Sequence, residues 1–229
     1  MEPVKAFFIE DIDYKKCWDL QIELNQKRID KKINDVLLLV THPPVITIGR
    51  TGKKDNILAS KELLKCKSVS IYEIGRGGDV TFHGPGQLMI YPIINLRNFF
   101  KDIHKYIWSL EETVIGVLNK YNINSERKNG YPGVWIGNEK IAAIGVRVKH
   151  WVSMHGIAFN ISTDIGFFNL VDPCGISRLG FGVTSMERVL NKKVSFKKIV
   201  SLYVKSFEDV FGCNAELTYS SFESRAKIP

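Results

Sequence analysis

The strongest constraint on the fold is the order in which strand-like runs arrive. The segment GVWIGNEKIAAIGVRV, Gly133 to Val148, places two apolar runs on either side of the polar turn GNEK, which is a hairpin signature. Another strand, SMHGIAFNIS, follows at once. Earlier, DVLLLVTHPPVITIGR contains two short buried-strand runs split by Pro43 and Pro44, which break regular pairing. SVSIYEIGRGG and QLMIYPIINL read as two further strands. Helices stand between these groups. One is expected from about Asp13 to Ile29, with Cys17, Leu20 and Leu24 on its inner face. A second spans Ile103 to Tyr121, where Ile103, Ile107, Leu110, Val114, Val117 and Tyr121 recur every three or four residues. A capping box, Thr184 with Glu187, marks a short helix. The last helix has Ser195 as its N-cap, Phe196, Ile199, Tyr203, Phe207 and Val210 on one face, and Gly212 just beyond its end. Strands that neighbour each other in sequence, without regular βαβ alternation, predict an α+β fold with a mixed or antiparallel sheet flanked by helices.

The 229 residues suit one domain over 1–229. Apolar runs such as VLLLV are too short to span a bilayer, and the first residues, MEPVKAFFIEDIDY, lack a basic start and a cleavage pattern. A cytoplasmic location without membrane contact is the expectation. The net charge of +8 fits either a plain lysine-rich surface or an acidic partner. Zinc-finger spacing, RNA-binding signatures and basic stripes with interleaved aromatics are missing, so nucleic acid is not favoured.

Five glycines fall between Gly75 and Gly86, more than a turn requires. They match neither GxGxxG nor GxxxxGK[ST], and the loop holds no lysine, which argues against a phosphate cradle. Glycines also let backbone approach a ligand with no Cβ between, so a ligand-lining loop is the better reading. Within it His83 is a base, a donor to a carbonyl, or a structural histidine bonded to its own loop; the last is the plainer reading.

None of the four cysteines forms a CxxC pair, and a cytosolic chain keeps them reduced. Cys17 belongs to the core face of the first helix, and Cys66 and Cys213 have no supporting motif. Cys174 differs. In VDPCGIS it stands between a proline that fixes a turn and a glycine that frees the next peptide, a setting that exposes a thiol and leaves backbone N–H groups for an oxyanion. A reactive thiol needs a group that takes its proton. His83, His155 and Lys140 are candidates. Lys140 opens the strand KIAAIGVRV among apolar residues, where a partly desolvated amine serves as base or stabilises a thiolate.

RGGDVTFHGPGQLMIYPI, GVWIGNEKIAAIGVRV, HGIAFNIST, PCGI and GVTSM occur in this order across nearly half the chain. Together they resemble the lipoyl(octanoyl) transferase family. The resemblance implies a biotin/lipoate protein ligase-like α+β domain. It also implies a catalytic pair of Cys174, as acyl-thioester nucleophile, and Lys140, which lowers the thiol pKa or acts as base. An acyl pocket would be formed by Arg76, Gly77, Gly78, Asp79, Val80, Thr81, Phe82 and His83, by Ala143, Ile144 and Gly145, and by Gly156, Ile157 and Ala158. Phe82 departs from the tyrosine common in this loop, which removes a hydroxyl and keeps the ring. The implied donor is octanoyl-acyl carrier protein. The implied acceptors are lipoyl domains of 2-oxoacid dehydrogenase complexes and the glycine cleavage H protein. No ATP or metal is implied, and a monomer is the expectation. The rival readings are an ATP-dependent lipoate or biotin ligase of the same fold, a non-catalytic module binding the same partners, and a cysteine amidohydrolase using Cys174 with a histidine.

Overall fold

A computed structural model describes residues 2–172, 180–220 and 228. In chain order the first strands and helices are β1 (Val4–Ile9), α1 (Tyr14–Ile29), β2 (Val36–Val40), β3 (Val45–Ile48), α2 (Lys61–Cys66), β4 (Ser70–Glu73), β5 (Val80–His83), β6 (Gln87–Ile93) and α3 (Ile103–Asn119). Then come β7 (Glu126–Lys128), β8 (Tyr131–Ile136), β9 (Glu139–Lys149), β10 (Val152–Asn160), β11 (Gly182–Val183), α4 (Met186–Leu190), α5 (Phe196–Phe211) and β12 (Ala215–Ser220). Among the described residues no helix is long and apolar enough to cross a membrane.

The main sheet runs β12-β1-β2-β6-β10-β9-β8-β7, with β11 alongside β9. Its β12–β1–β2 edge is parallel, and β2 through β7 pair antiparallel. A second sheet, β4-β3-β5, stands apart from it. This is the mixed α+β arrangement that the strand order predicts. α3 and α5 cover one face of the main sheet through Leu110, Val114, Val117, Tyr203 and Phe207, all fully buried. α1 covers the other through Cys17, Leu20 and Leu24. Each such side chain contributes roughly 1.5–3 kcal/mol by leaving water. All five residues of β2 are buried because it runs down the middle of the sheet between both layers.

Pro43 and Pro44 do more than interrupt a strand. They end β2 in the main sheet and send β3 into the second one. α1 begins on Asp13, whose carboxylate accepts from the Lys16 N–H at 3.0 Å. Ser195 caps α5, and Gly212 closes it with φ +63°.

The cap of α4 is a correction. Ser185, not Thr184, accepts the Arg188 N–H. The Thr184 N–H donates to the Lys140 carbonyl at 3.1 Å, which continues the β11–β9 pairing by one residue and pushes the helix start along. Glu187 instead accepts from the Val194 N–H at 2.9 Å. β1 and β12, which pair residue for residue from Val4↔Ala215 to Ile9↔Ser220, are elements that local pattern did not reveal.

Candidate active site

The seam between the two sheets holds a cavity of about 450 Å³, within the range of small-molecule sites. Its walls come from the glycine loop, β5, β6, β9, β10, the first turns of α3 and the start of β8. The loop crosses from one sheet to the other. On its β3 side Arg76, 7% exposed, donates from Nη2 to the Thr47 carbonyl and hydroxyl, both at 2.9 Å. On its β9 side the Gly77 N–H donates to the Val146 carbonyl at 3.0 Å. A Cβ on Gly145 would lie 2.9 Å from the Gly77 carbonyl oxygen and 3.0 Å from Arg76 Cδ, so this crossing needs bare backbone. Asp79 ties the loop to residues 53–56, accepting from Asn56 Nδ2 at 2.6 Å and from the Lys53 N–H at 3.3 Å.

The two other predicted wall segments face each other directly. Gly145 pairs with Gly156, Ile144 with Ile157 and Ala143 with Ala158 across the β9–β10 ladder. Arg76, Gly77, Gly78, Asp79, Val80, Thr81 and His83 reach the same cavity, as does Lys140. Phe82 does not. Strand alternation turns its ring away from the side of Thr81 and His83 and, with the Val80 side chain, into the core of the second sheet, where it stacks on Phe167 with centroids 4.8 Å apart. Cys174 lies outside the described residues, together with its neighbours over 173–179. The last cavity-lining residue before that segment is Phe168 and the first after it is Val183.

The inner end of the cavity is polar, and its imidazoles are held neutral beside the Arg76 guanidinium. His83 Nδ1 sits 2.9 Å from Gln87 Oε1, and Nε2 3.2 Å from the Thr47 hydroxyl. Since an amide oxygen only accepts, Nδ1 carries the proton and Nε2 accepts. Gln87 passes the chain on to Asn160 at 2.8 Å, and Asn160 to the Thr184 carbonyl at 3.0 Å. Burial, helped by the Arg76 charge, pushes His83 down to about 3. His155 stands in β10 with φ +58° and is 2% exposed. Its N–H donates to Gln21 of α1 at 3.1 Å, and burial followed by the fields of Arg76 and Arg147 lowers its imidazole to about 3. His42, bonded to the Ile12 carbonyl and to the Tyr91 hydroxyl, is lowered by burial to about 4. Tyr14 stacks on His83 with ring centroids 6.2 Å apart and 5° between planes.

Lys140 is placed differently, half-buried at the wall beside Tyr131 and Pro132. Its Nζ donates to the Pro132 carbonyl at 3.2 Å and sits 4.7 Å from the centre of the Trp135 ring. Directly opposed residues of an antiparallel pair share a face, and the register slips between Val134 and Trp135 so that Trp135 opposes Lys140.

Several lining residues are not among the predicted wall residues: Tyr14, Gln87, Met89, Tyr91 and Asn160, together with Ile103 and Ile107, which the sequence marks only as a helix face. Tyr14 opens a helix and Met89 and Tyr91 sit in an apolar strand, where sequence gives no sign that they face a cavity. Among the described residues no cluster of three or more metal-ligating side chains occurs.

Residues 13–208 match the lipoyl protein ligase A/B catalytic domain family. An octanoyltransferase of Caldicellulosiruptor saccharolyticus is 47% identical over 223 residues, covering 96% of this chain and 93% of its own. The octanoyltransferase of Christiangramia forsetii is 42% identical, covering 90% and 94%. The chain belongs to the octanoyltransferase family. Octanoyltransferases share their fold with ligases. A lipoate-protein ligase A bound with ATP superposes with a TM-score of 0.73 at 12% identity, over 98% of this chain and 92% of the other. Biotin protein ligase from Aquifex aeolicus, in complex with biotin and ATP, gives a TM-score of 0.57 at 13% identity, over 91% and 70%.

Proposed function

We propose that this chain moves an octanoyl group from acyl carrier protein to a lysine of lipoyl domains through a thioester on Cys174, with Lys140 as the proton-handling partner. The observation that carries this reading is the placement of Lys140 on the wall of the same cavity that the glycine loop and the 143–145/156–158 ladder enclose. The histidines that competed for the base role are lowered to about 3 by burial, far too weak to hold a thiol proton. This weighs against the amidohydrolase alternative, which needs one of these histidines as its base.

The chemistry runs in two exchanges. The Cys174 thiol gives its proton to the Lys140 amine, and the thiolate attacks the donor thioester carbonyl. The donor C–S bond breaks, and the departing thiolate takes the proton back from the Lys140 ammonium. The first step trades one thioester for another of similar energy. In the second, a lysine amine of the acceptor attacks the acyl-enzyme and passes a proton to Lys140; the Cys174 C–S bond breaks as the amide forms, and the departing thiolate takes that proton from the Lys140 ammonium and is restored as thiol. The thioester is already activated, so the reaction calls for neither ATP nor metal. The pocket residues Arg76, Gly77, Gly78, Asp79, Val80, Thr81 and His83, Ala143 to Gly145, and Gly156 to Ala158 enclose the acyl chain. Burial at about 0.8 kcal/mol per methylene gives an eight-carbon chain on the order of 5 kcal/mol. Arg50 on the cavity wall and the net charge of +8 suit acidic carrier and lipoyl domains. The same reading takes 1–229 as one catalytic domain, monomeric and cytoplasmic, with lipoyl domains of 2-oxoacid dehydrogenase complexes and the glycine cleavage H protein as acceptors.

The test is transfer from octanoyl carrier protein to a lipoyl domain, followed by acceptor mass, with and without ATP. Transfer without ATP, abolished in Cys174→Ser, is the expected result. Modification only from free octanoate plus ATP, surviving Cys174→Ser, identifies a ligase and overturns the proposal.

A further inference from the structure

Glu111 is a carboxylate buried in α3, 6% exposed, on a helix whose inner face is otherwise mostly apolar. A buried carboxylate costs several kcal/mol unless it is paired and hydrogen-bonded, so its partners show what it is there to hold. One is Arg127, whose Nε lies 3.0 Å from Oε2. That guanidinium also reaches Glu112 and the Trp108 carbonyl, and lies 4.3 Å from the centre of the Trp108 ring. The other is the backbone N–H of Gly133, which donates to Oε1 at 2.9 Å.

The Gly133 N–H and the Pro132 carbonyl belong to one peptide unit. That unit is planar, and in the trans form its N–H and C=O point in opposite directions. Glu111 takes hold of the N–H end. The C=O end accepts from Lys140 Nζ at 3.2 Å. A carboxylate bonded to the N–H also polarises the plane, making the far oxygen a better acceptor for a cation. The peptide stands this way only because residue 133 is glycine. Its φ is +133°, and a Cβ there would lie 2.4 Å from the Ala142 carbonyl oxygen and 3.4 Å from both Cδ and Cε of Lys140. Glu111 thus reaches Lys140 by way of this peptide. It fixes the plane that fixes the amine, while the Trp135 ring holds the amine from a second direction.

We propose that Glu111 is a positioning residue for Lys140, acting through the Pro132–Gly133 peptide so that the amine is held in place at the cavity wall. This rests on the reading of Lys140 as the proton-handling group. The plainer alternative is a staple: Glu111 and Arg127 would only bind the β7–β8 hairpin to α3, and their loss would lower stability without touching the proton chemistry.

The experiment is a single-turnover pH–rate profile for octanoyl addition to the full-length chain, read by intact mass after mixing with octanoyl carrier protein. Wild type, Glu111→Asp, Glu111→Gln, Lys140→Ala and the double variant Glu111→Asp/Lys140→Ala are compared, each with a thermal melt. Aspartate keeps the charge opposite Arg127 but shortens the arm, so the peptide plane loosens. Glutamine keeps the length and an acceptor oxygen. The expected result is a rate about tenfold lower in Glu111→Asp, the scale of a misplaced catalytic group, with the profile midpoint moved toward that of Lys140→Ala. Glu111→Gln stays within about threefold of wild type, and the double variant is no slower than Lys140→Ala alone. If Glu111→Asp lowers the melting temperature while its profile coincides with wild type, the staple account stands and the proposal is overturned. It is also overturned if the tenfold loss persists undiminished in the Lys140→Ala background. If Lys140→Ala itself leaves the profile unmoved, the underlying reading of Lys140 fails, and this inference with it; that outcome is distinguishable because it needs no Glu111 variant.

Discussion

The two ends of the cavity handle charge in opposite ways. At the inner end His83, His155, Tyr14 and Tyr91, with His42 bonded to the Tyr91 hydroxyl, are all under 5% exposed, and burial keeps the three imidazoles neutral. At the wall near β8, Lys140 is half-buried and rests against a carbonyl and a ring face. The first arrangement is a polar lining whose imidazoles stay neutral beside the single guanidinium of Arg76. The second places an amine on the half-buried wall, where the proposed proton exchange with Cys174 would take place. Numbers of nitrogen atoms do not distinguish the two regions; desolvation does.

The sharpest way to break this contrast is to remove one group from each end. Lys140→Ala is expected to slow acyl-enzyme formation by roughly 10²–10⁴-fold, the usual worth of a positioned base. His83→Gln and His155→Gln are expected to lose about tenfold or less, through pocket shape. Equal losses at both ends, measured by single-turnover mass spectrometry, would erase the distinction.

A second variant separates backbone fit from chemistry. A Cβ on Gly156 would lie 2.1 Å from the Ile90 carbonyl oxygen, so β10 must move away from β6 to admit it. Gly156→Ala is expected to cost about 3 kcal/mol or more in a urea titration, at the upper end of single substitutions. An unchanged midpoint would show that the β6–β10 contact is not tight.

The third test uses pH. The folded histidines sit at about 4, 3 and 3 against an unfolded value near 6.5. Because the folded state disfavours the protonated form, their stability contribution is complete above about 6.5. It falls as pH drops through the window toward 4 and 3, with up to about 1.4 kcal/mol per pH unit from each histidine. Urea midpoints between pH 7 and pH 4 check this, and His42→Gln, which cannot take up the proton, should flatten the slope. A slope of the opposite sign would mean that these rings are not neutral inside.

The smallest effect belongs to the rim. Arg50→Gln is expected to slow association with octanoyl carrier protein by about two- to fourfold at low salt and by less at high salt, as a steering charge does. Stopped-flow rates over a salt series test this, and a salt-independent loss would assign Arg50 a contact instead.

Much of this layout is visible in the sequence, for identifiable reasons. The GNEK turn and its apolar flanks define β8 and β9 because a hairpin is a local object, and the spacing of Ile103 through Val117 defines α3 for the same reason. The excess of glycines between 75 and 86 marks a loop that lines the cavity, though only the fold shows that it bridges two sheets. What the sequence does not reveal depends on distant pairing. β1 and β12 are over two hundred residues apart. Phe82 sits within the predicted wall motif, yet alternation in β5 turns it into the core of the second sheet. Glu111 looks like any helix acid until β8 lies beside it. The slip that brings Trp135 opposite Lys140 is a one-residue irregularity that periodicity cannot register.

The most direct test of the central claim is peptide mapping of the full-length chain after brief exposure to octanoyl carrier protein, with no ATP and no acceptor. The account predicts one octanoyl group, carried as a hydroxylamine-labile thioester on Cys174 and discharged when a lipoyl domain is added. An unmodified chain that still octanoylates the lipoyl domain, or an adduct on another residue, would contradict it.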